Sequence, residues 1–207
     1  MILPKAWVKE RKREYYYRKA KEEKFRSRAT YKLLQAVKKH QFIKPGYVVV
    51  DLGAAPGGWT QASRRIVGSS GFVLGIDLKR VEPIDLPNVR TVTGDVTDSQ
   101  ITQSIRELLP RSADVIISDV SPNISGVWEL DHARQIDLAR QSLRIATSVL
   151  RPRGNFFVKV FQGDMLNDFV EEVKQYFSFV KLIKPKASRA KSSELYALGM
   201  NFRQPET

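Results

Sequence analysis

From residue 47 onward the chain alternates short apolar runs with segments of helical period. Runs such as Val115-Ile116-Ile117 and Phe156-Phe157-Val158 lack polar alternation, which marks strands covered on both faces rather than strands with one wet side. Strands are expected at Tyr47–Asp51, Gly71–Asp77, Val89–Thr93, Asp114–Asp119, Asn155–Phe161, Phe179–Lys184 and Glu194–Asn201. Helices are expected near Gly58–Val67, Ser99–Leu109, Leu130–Leu150 and Met165–Phe177, the long third one ending at Arg151-Pro152-Arg153-Gly154. Ahead of these, residues 5–24 are rich in helix formers and free of glycine. Ser27 is placed to cap a second helix reaching His40, which Pro45-Gly46 would stop. Such alternation predicts an α/β fold: one Rossmann-like domain with a mostly parallel seven-stranded sheet and helices on both faces. The last two strands lie too close for a crossover helix, so the final strand should pair antiparallel.

Length and composition narrow the class. The 207 residues suffice for one well-packed domain, and 42% hydrophobic residues make it globular. No apolar run approaches the ~20 residues that span a bilayer. The first residues carry charges throughout and lack the apolar core of a secretory signal. The chain has no cysteine, which excludes disulfides and thiolate metal sites and is compatible with a cytoplasmic location. His40 and His132 have no second ligand at metal spacing; a solvated histidine and a helix-surface one are expected, and no bound metal.

Charge changes the picture more. Residues 1–44 hold 15 Lys/Arg and 4 Asp/Glu, so +11 of the net +13 falls there. Aromatics interleave with these bases at Trp7, Tyr15, Tyr16, Tyr17, Phe25 and Tyr31. Stacking surfaces beside phosphate-binding charge suit RNA better than a membrane. Any one of these aromatics is more simply explained as packing on the domain. The division expected is a basic helical extension over residues 1–44, part of the same domain, and a core over 45–207.

The candidate chemistry lies where the predicted strands end, since ligands of such sheets bind beyond the carboxyl ends of the strands. Val49-Asp-Leu-Gly-Ala-Ala-Pro-Gly-Gly-Trp59 runs from a strand through a small-residue loop into a helix. Gly53, Ala54, Ala55, Gly57 and Gly58 allow a ligand to lie against backbone. The spacing is not the dinucleotide G-x-G-x-x-G, and Pro56 and Trp59 crowd the place of a pyrophosphate. A nucleoside cofactor without phosphates, S-adenosylmethionine, fits better. Asp77 follows the second strand, where a carboxylate can accept ribose hydroxyls; Asp95 follows the third, Asp119 the fourth and Lys159 the fifth. One such aspartate is ordinary turn chemistry, but four in succession, counting Asp51 after the first strand, are not. Lys159 has apolar neighbours on both sides. Burial disfavours an ammonium while a carboxylate on the adjacent strand favours it, so whether Lys159 serves as a neutral base stays open.

Five motifs in order then carry a resemblance: Arg26-Ser-Arg-Ala-Thr-Tyr-Lys-Leu, Asp51-Leu-Gly-Ala-Ala-Pro-Gly-Gly-Trp, Ser118-Asp-Val-Ser-Pro-Asn, Val158-Lys-Val-Phe-Gln-Gly and Ser188-Arg-Ala-Lys-Ser-Ser-Glu-Leu-Tyr. The chain resembles, over nearly its whole length, the FtsJ/RrmJ family of RNA ribose 2′-O-methyltransferases. The resemblance implies a catalytic tetrad at Lys32, Asp119, Lys159 and Glu194. It implies cofactor positions at Gly57, Trp59, Asp77, Asp95 and Asp119, with Gly53 and Pro56 shaping the loop and S-adenosylmethionine as the methyl donor. The compact build and the Ser-Arg-Ala-Lys-Ser-Ser-Glu motif look like members that methylate a uridine of large-subunit ribosomal RNA. The run Arg13-Glu-Tyr-Tyr-Tyr-Arg is closer to relatives acting on the tRNA anticodon loop. A monomer is expected. The alternatives are an RNA-binding assembly factor without turnover, which the filled tetrad argues against, and a metal-dependent small-molecule methyltransferase, which has no use for the basic segment. Lys181, Lys184, Lys186, Arg189 and Lys191 form a second basic cluster that could extend an RNA surface.

Overall fold

The structure is a computed structural model that describes residues 15–189 and 192–203. The first part of the expected leading helix (residues 5–14), Trp7 and Lys191 lie outside the described residues. The elements are α1 (15–22), α2 (Thr30–His40), β1 (Val48–Leu52), α3 (Gly58–Val67), β2 (Phe72–Asp77), β3 (Val89–Thr93), α4 (Ile101–Leu108), β4 (Ala113–Ser118), α5 (Trp128–Val149), β5 (Leu150–Phe161), α6 (Leu166–Tyr176), β6 (Phe177–Ile183) and β7 (Glu194–Phe202). The sheet order is β3-β2-β1-β4-β5-β7-β6. Neighbours among β1–β5 pair parallel, and β7 runs antiparallel between β5 and β6. The expected seven-stranded sheet with its antiparallel last strand is the one found.

Strand periodicity sorts the apolar residues onto two faces. Val50, Leu52, Ile116, Phe156 and Val158 face a core closed by α4, α5 and α6, through Ile105, Ile136, Leu143 and Phe169. Their alternate neighbours Val49, Val115, Ile117 and Phe157 face a second core closed by α2 and α3, through Leu33, Ala36, Val37, Trp59 and Ala62. α2 therefore belongs to the core although its sequence lies in the basic segment.

Several boundaries differ from expectation for local reasons. α2 begins at Thr30, not at Ser27, because residues 27–30 form a turn in which the Thr30 N–H donates to the Ser27 carbonyl at 3.3 Å. The Ser27 hydroxyl is committed to the close approach of α3: a Cβ at Gly58 would stand 2.5 Å from it. α2 ends before Pro45-Gly46, at Gln41, whose left-handed φ of 52° lets its N–H reach the Val37 carbonyl at 2.7 Å. β5 starts at Leu150 rather than Asn155. Arg151–Gly154 is a bulge rather than a turn, between the pairs Ala113–Leu150 and Val115–Asn155, with Arg153 at φ 63°. Arg151 holds it by donating from Nε to Oδ1 of Asp114 at 2.5 Å.

The two histidines are corrected. His132 is buried, not on a helix surface: Nε2 accepts the Met165 N–H at 3.1 Å, and Gly163 leaves the room the imidazole occupies. His40 is half-buried rather than solvated, with Nε2 enclosed and without a hydrogen-bond partner. Burial first, then Lys181 and Lys39, hold its pKa below the usual value.

Candidate active site

At the carboxyl end of β1 the chain turns through Gly53–Gly57 into α3. Gly53 and Gly57 have φ of 77° and 106°, which side-chain-bearing residues rarely adopt. The Gly53 and Ala54 N–H groups donate to the Ile76 carbonyl at 2.8 and 3.0 Å, tying the turn to β2. Asp77, at the end of β2, accepts the Ala55 N–H on Oδ2 at 2.9 Å and the Lys79 N–H on Oδ1 at 2.8 Å. Each oxygen keeps a further acceptor site, and the residue is only half-buried. Asp95, in the loop after β3, accepts the Thr97 N–H and hydroxyl on one oxygen, both at 2.8 Å. The residue is half-buried at the same sheet edge.

Beneath the turn, Asp51 is fully buried and accepts the Thr60 hydroxyl on Oδ2 at 2.7 Å, while Oδ1 has no partner. Burial pushes its pKa up to about 7, against the Thr60 hydrogen bond and with help from Asp119 and Asp77. Trp59 faces inward: its indole donates to the Ala29 carbonyl at 2.9 Å and stacks on Phe157. What Trp59 presents at the turn is backbone, not ring.

Four elements bring the charged side chains together. Lys159, from β5, donates from Nζ to the Asp119 carbonyl at 2.8 Å and lies 3.1 Å from Asp119 Oδ1. Lys32, from the first turn of α2, pairs with Glu194 at the start of β7, with Nζ 2.7 and 2.8 Å from its two oxygens. Tyr196 joins the two pairs. It sits opposite Lys159 in the β5–β7 register, donates its hydroxyl to Asp119 Oδ1 at 2.8 Å, and has Lys32 Nζ 5.8 Å from its ring centre. Burial, then the negative charges of Asp119 and Glu194, raise its pKa well above the usual 10, which keeps it a neutral donor. Ser188 donates to Glu194 Oε1 at 3.0 Å. Among the described residues no group of three or more His, Cys, Asp or Glu could hold a metal ion, and no helix is long and apolar enough to cross a membrane.

Comparison with known proteins adds the family. The model of the FtsJ-like methyltransferases matches residues 25–202. The chain belongs to the FtsJ-like methyltransferase family. A protein named ribosomal RNA large subunit methyltransferase E from Methanocaldococcus jannaschii is 52% identical to this methyltransferase over 201 residues, covering 96% of this chain and 82% of that one. Its namesake from Methanothrix thermoacetophila is 52% identical over 187 residues, covering 90% and 72%. A solved structure titled as a ribosomal RNA methyltransferase of Plasmodium falciparum superposes with a TM-score of 0.77 at 28% identity, covering 86% of this chain and 98% of that one. Fibrillarin of Aeropyrum pernix, at 15% identity and a TM-score of 0.60 over 84% and 75% of the two chains, shares the fold.

Two residues of this methyltransferase escaped the sequence reading. Tyr196 lay within a quoted motif without a role, although its position two residues after Glu194 puts both on one face of a strand. Arg26 is the other. Its guanidinium donates to the carbonyls of Pro56 (3.4 Å), Glu82 and Pro83 (2.7 Å), clamping the glycine turn to the loop after β2. Three backbone acceptors 30 to 57 residues away leave no local trace in the sequence.

Proposed function

We propose that this methyltransferase transfers a methyl group from S-adenosylmethionine to a ribose 2′-hydroxyl of large-subunit ribosomal RNA, at a uridine, as a monomeric cytoplasmic enzyme. The observation that carries the reading is the Lys159–Asp119–Tyr196 cluster joined to Lys32–Glu194 beside the glycine turn. One chain supplies all of it, so the site needs no second copy. The names of the curated relatives support the RNA class.

The residues suit that cofactor. The turn offers bare backbone at Gly53 and Gly57, and Asp77 has acceptor capacity left for ribose hydroxyls. Asp95 lies on the same sheet edge, and the turn after β1 lacks the G-x-G-x-x-G spacing of a dinucleotide site. When bound, S-adenosylmethionine supplies a methyl group already activated by its sulfonium. What falls to the protein is alignment of the acceptor oxygen and management of its proton.

Lys159 is built for that task. An ammonium has three N–H groups; Lys159 donates one to the Asp119 carbonyl and stands in ion-pair contact with the Asp119 carboxylate. Held in this way, Lys159 meets the 2′-oxygen, either to fix the oxygen's lone pair or, as the free amine, to take its proton. Asp119 holds Lys159, and Tyr196 holds Asp119. Lys32 and Glu194 close the frame around the ribose.

The test is transfer of tritiated methyl from S-adenosylmethionine to undermethylated 50S-type particles and to bulk tRNA, followed by mapping of the modified ribose. Label on a 2′-oxygen of large-subunit RNA is the expected result. Label on tRNA alone moves the substrate to the anticodon-loop class, a reading favoured by Tyr15 and Tyr17, about half exposed on α1. Cofactor binding without transfer to any RNA removes the enzymatic reading.

A further inference from the structure

Outside the tetrad, four exposed large apolar side chains among the described residues lie on the segment from β4 into α5. Ile124 is 65%, Val127 55%, Trp128 43% and Leu130 41% exposed. The segment is not loose. The Asp131 carboxylate accepts the Ser125 N–H (2.8 Å), the Ser125 hydroxyl (2.7 Å) and the Gly126 N–H (3.1 Å), which ties the loop back onto the first turn of α5. Trp128 is held further. Its indole lies near-parallel to the His132 ring (5.9 Å, 19°) and to the Phe161 ring (6.0 Å, 23°), both of them buried. His132 is itself fixed by the Met165 N–H. A large indole is thus locked in one orientation while nearly half of it stays open to solvent.

Its position gives the surface a purpose. Phe161 stands two residues beyond Lys159 on β5, about 7 Å along the strand, and pairs directly with Glu194 of β7. The loop that leads into Trp128 begins at Asp119. The exposed ring, 6.0 Å from that of Phe161, therefore lies at the same edge of the sheet as the side chains proposed to frame the ribose. We infer that Trp128 is a stacking platform for a base of the single-stranded RNA substrate, the target nucleotide's own or its neighbour's. A locked aromatic loses little freedom on binding, and a flat base has a face to offer it whatever its sequence. The strongly basic chain and the proposed ribose site at the same sheet edge make the occupant the RNA substrate rather than a protein partner. This inference rests on the RNA-methylation reading above.

The experiment uses the full chain as wild type, Trp128→Ala and Trp128→Phe. Steady-state methylation of undermethylated 50S-type particles gives KM for RNA, KM for S-adenosylmethionine and kcat. In parallel, tryptophan fluorescence is followed in a Trp7→Phe background, so that beside the buried Trp59 only Trp128 can report contact, while a single-stranded RNA oligonucleotide is added, with thermal melts to verify folding. Trp128→Ala is expected to raise the RNA KM about tenfold, as loss of one base–aromatic stack does, with the cofactor KM unchanged. Trp128→Phe should recover most of that loss, while the RNA-dependent quenching seen in wild type disappears with the exposed indole. An RNA KM unchanged in folded Trp128→Ala, or quenching that persists in Trp128→Phe, overturns the platform while leaving the methylation reading intact. Wild type that is quenched by RNA yet transfers no methyl group overturns the methylation reading and leaves the platform standing. Should Trp128→Ala fail to fold, the quenching of Trp128→Phe decides alone.

Discussion

Lys159 is 7% exposed at its side chain and Asp119 18%, so the pair works in a medium where hydrogen bonds are stronger than in water and an unpaired charge is costly. Lys159→Ala should lower kcat by about a thousandfold, within the usual range for a positioned proton-handling group. Binding of S-adenosylmethionine, measured by calorimetric titration, should survive. Tyr196→Phe removes one hydroxyl donor from Asp119 and leaves Lys159 in place. It should lower kcat about tenfold with little change in either KM, and cost roughly 1 kcal/mol of stability, the value of one hydrogen bond. Asp119 and Lys159 were legible as charges at strand ends, whereas Lys32 and Glu194 were named only through the resemblance; the structure pairs Lys159 with Asp119 and Lys32 with Glu194. The sequence did not reveal Arg26, whose partners are main-chain carbonyls of distant loops. Nor could it tell that Trp59 turns its ring into the core, since a tryptophan after a glycine turn is compatible with either direction.

The glycine turn shows what an element demands of its residues. At Gly57 a Cβ would sit 2.8 Å from Arg26 Nη1 and 3.2 Å from Val81, on a backbone with φ of 106°. Gly57→Ala should therefore weaken the Arg26 clamp and strain the turn, lowering stability by about 1 kcal/mol or more. Cofactor affinity should fall alongside it, and thermal melting with and without S-adenosylmethionine separates the two effects. Gly53 is constrained from the other side, with a Cβ only 2.8 Å from the Val120 backbone. Element identities were readable throughout because periodicity and strand-end punctuation agree. The misses came where a tertiary contact overrode a local signal. Ser27, a good cap by composition, is held in a turn against Gly58. Pro152 and Gly154 read as a loop, but the Arg151–Asp114 pair keeps the chain on the sheet.

Two buried aspartates give the molecule opposite responses to pH. Asp51 has its folded pKa raised to about 7, so between about pH 4 and 7 the folded state binds the extra proton and stability falls as pH rises. The effect is at most about 4 kcal/mol, from roughly three pKa units. Asp51→Asn should flatten this slope in melts taken across that range. At Asp114 burial opposes the charged form but is outweighed by Arg111, the Val48 N–H and Arg151, so its folded pKa is depressed. Its stabilisation is present above the ordinary aspartate range and is lost as pH falls through that depressed value. Asp114→Asn should cost about 2 kcal/mol or more at neutral pH, because two guanidinium groups and a buried N–H lose their anion. The basic segment makes a separate prediction for the whole chain. RNA affinity should fall steeply and log-linearly with added salt, whereas cofactor affinity should hardly change.

The insertion of β7 between β5 and β6 also sets the order in which the enzyme can come alive during its own synthesis. Glu194 and Tyr196 are made 162 and more residues after Lys32. A nascent polypeptide halted before them has an open seam along β5 and lacks the partners that Lys32 and Asp119 have in the finished fold. The charged cluster is thus completed by the same strand that seals the sheet, so a copy still short of β7 should bind cofactor and RNA without turnover.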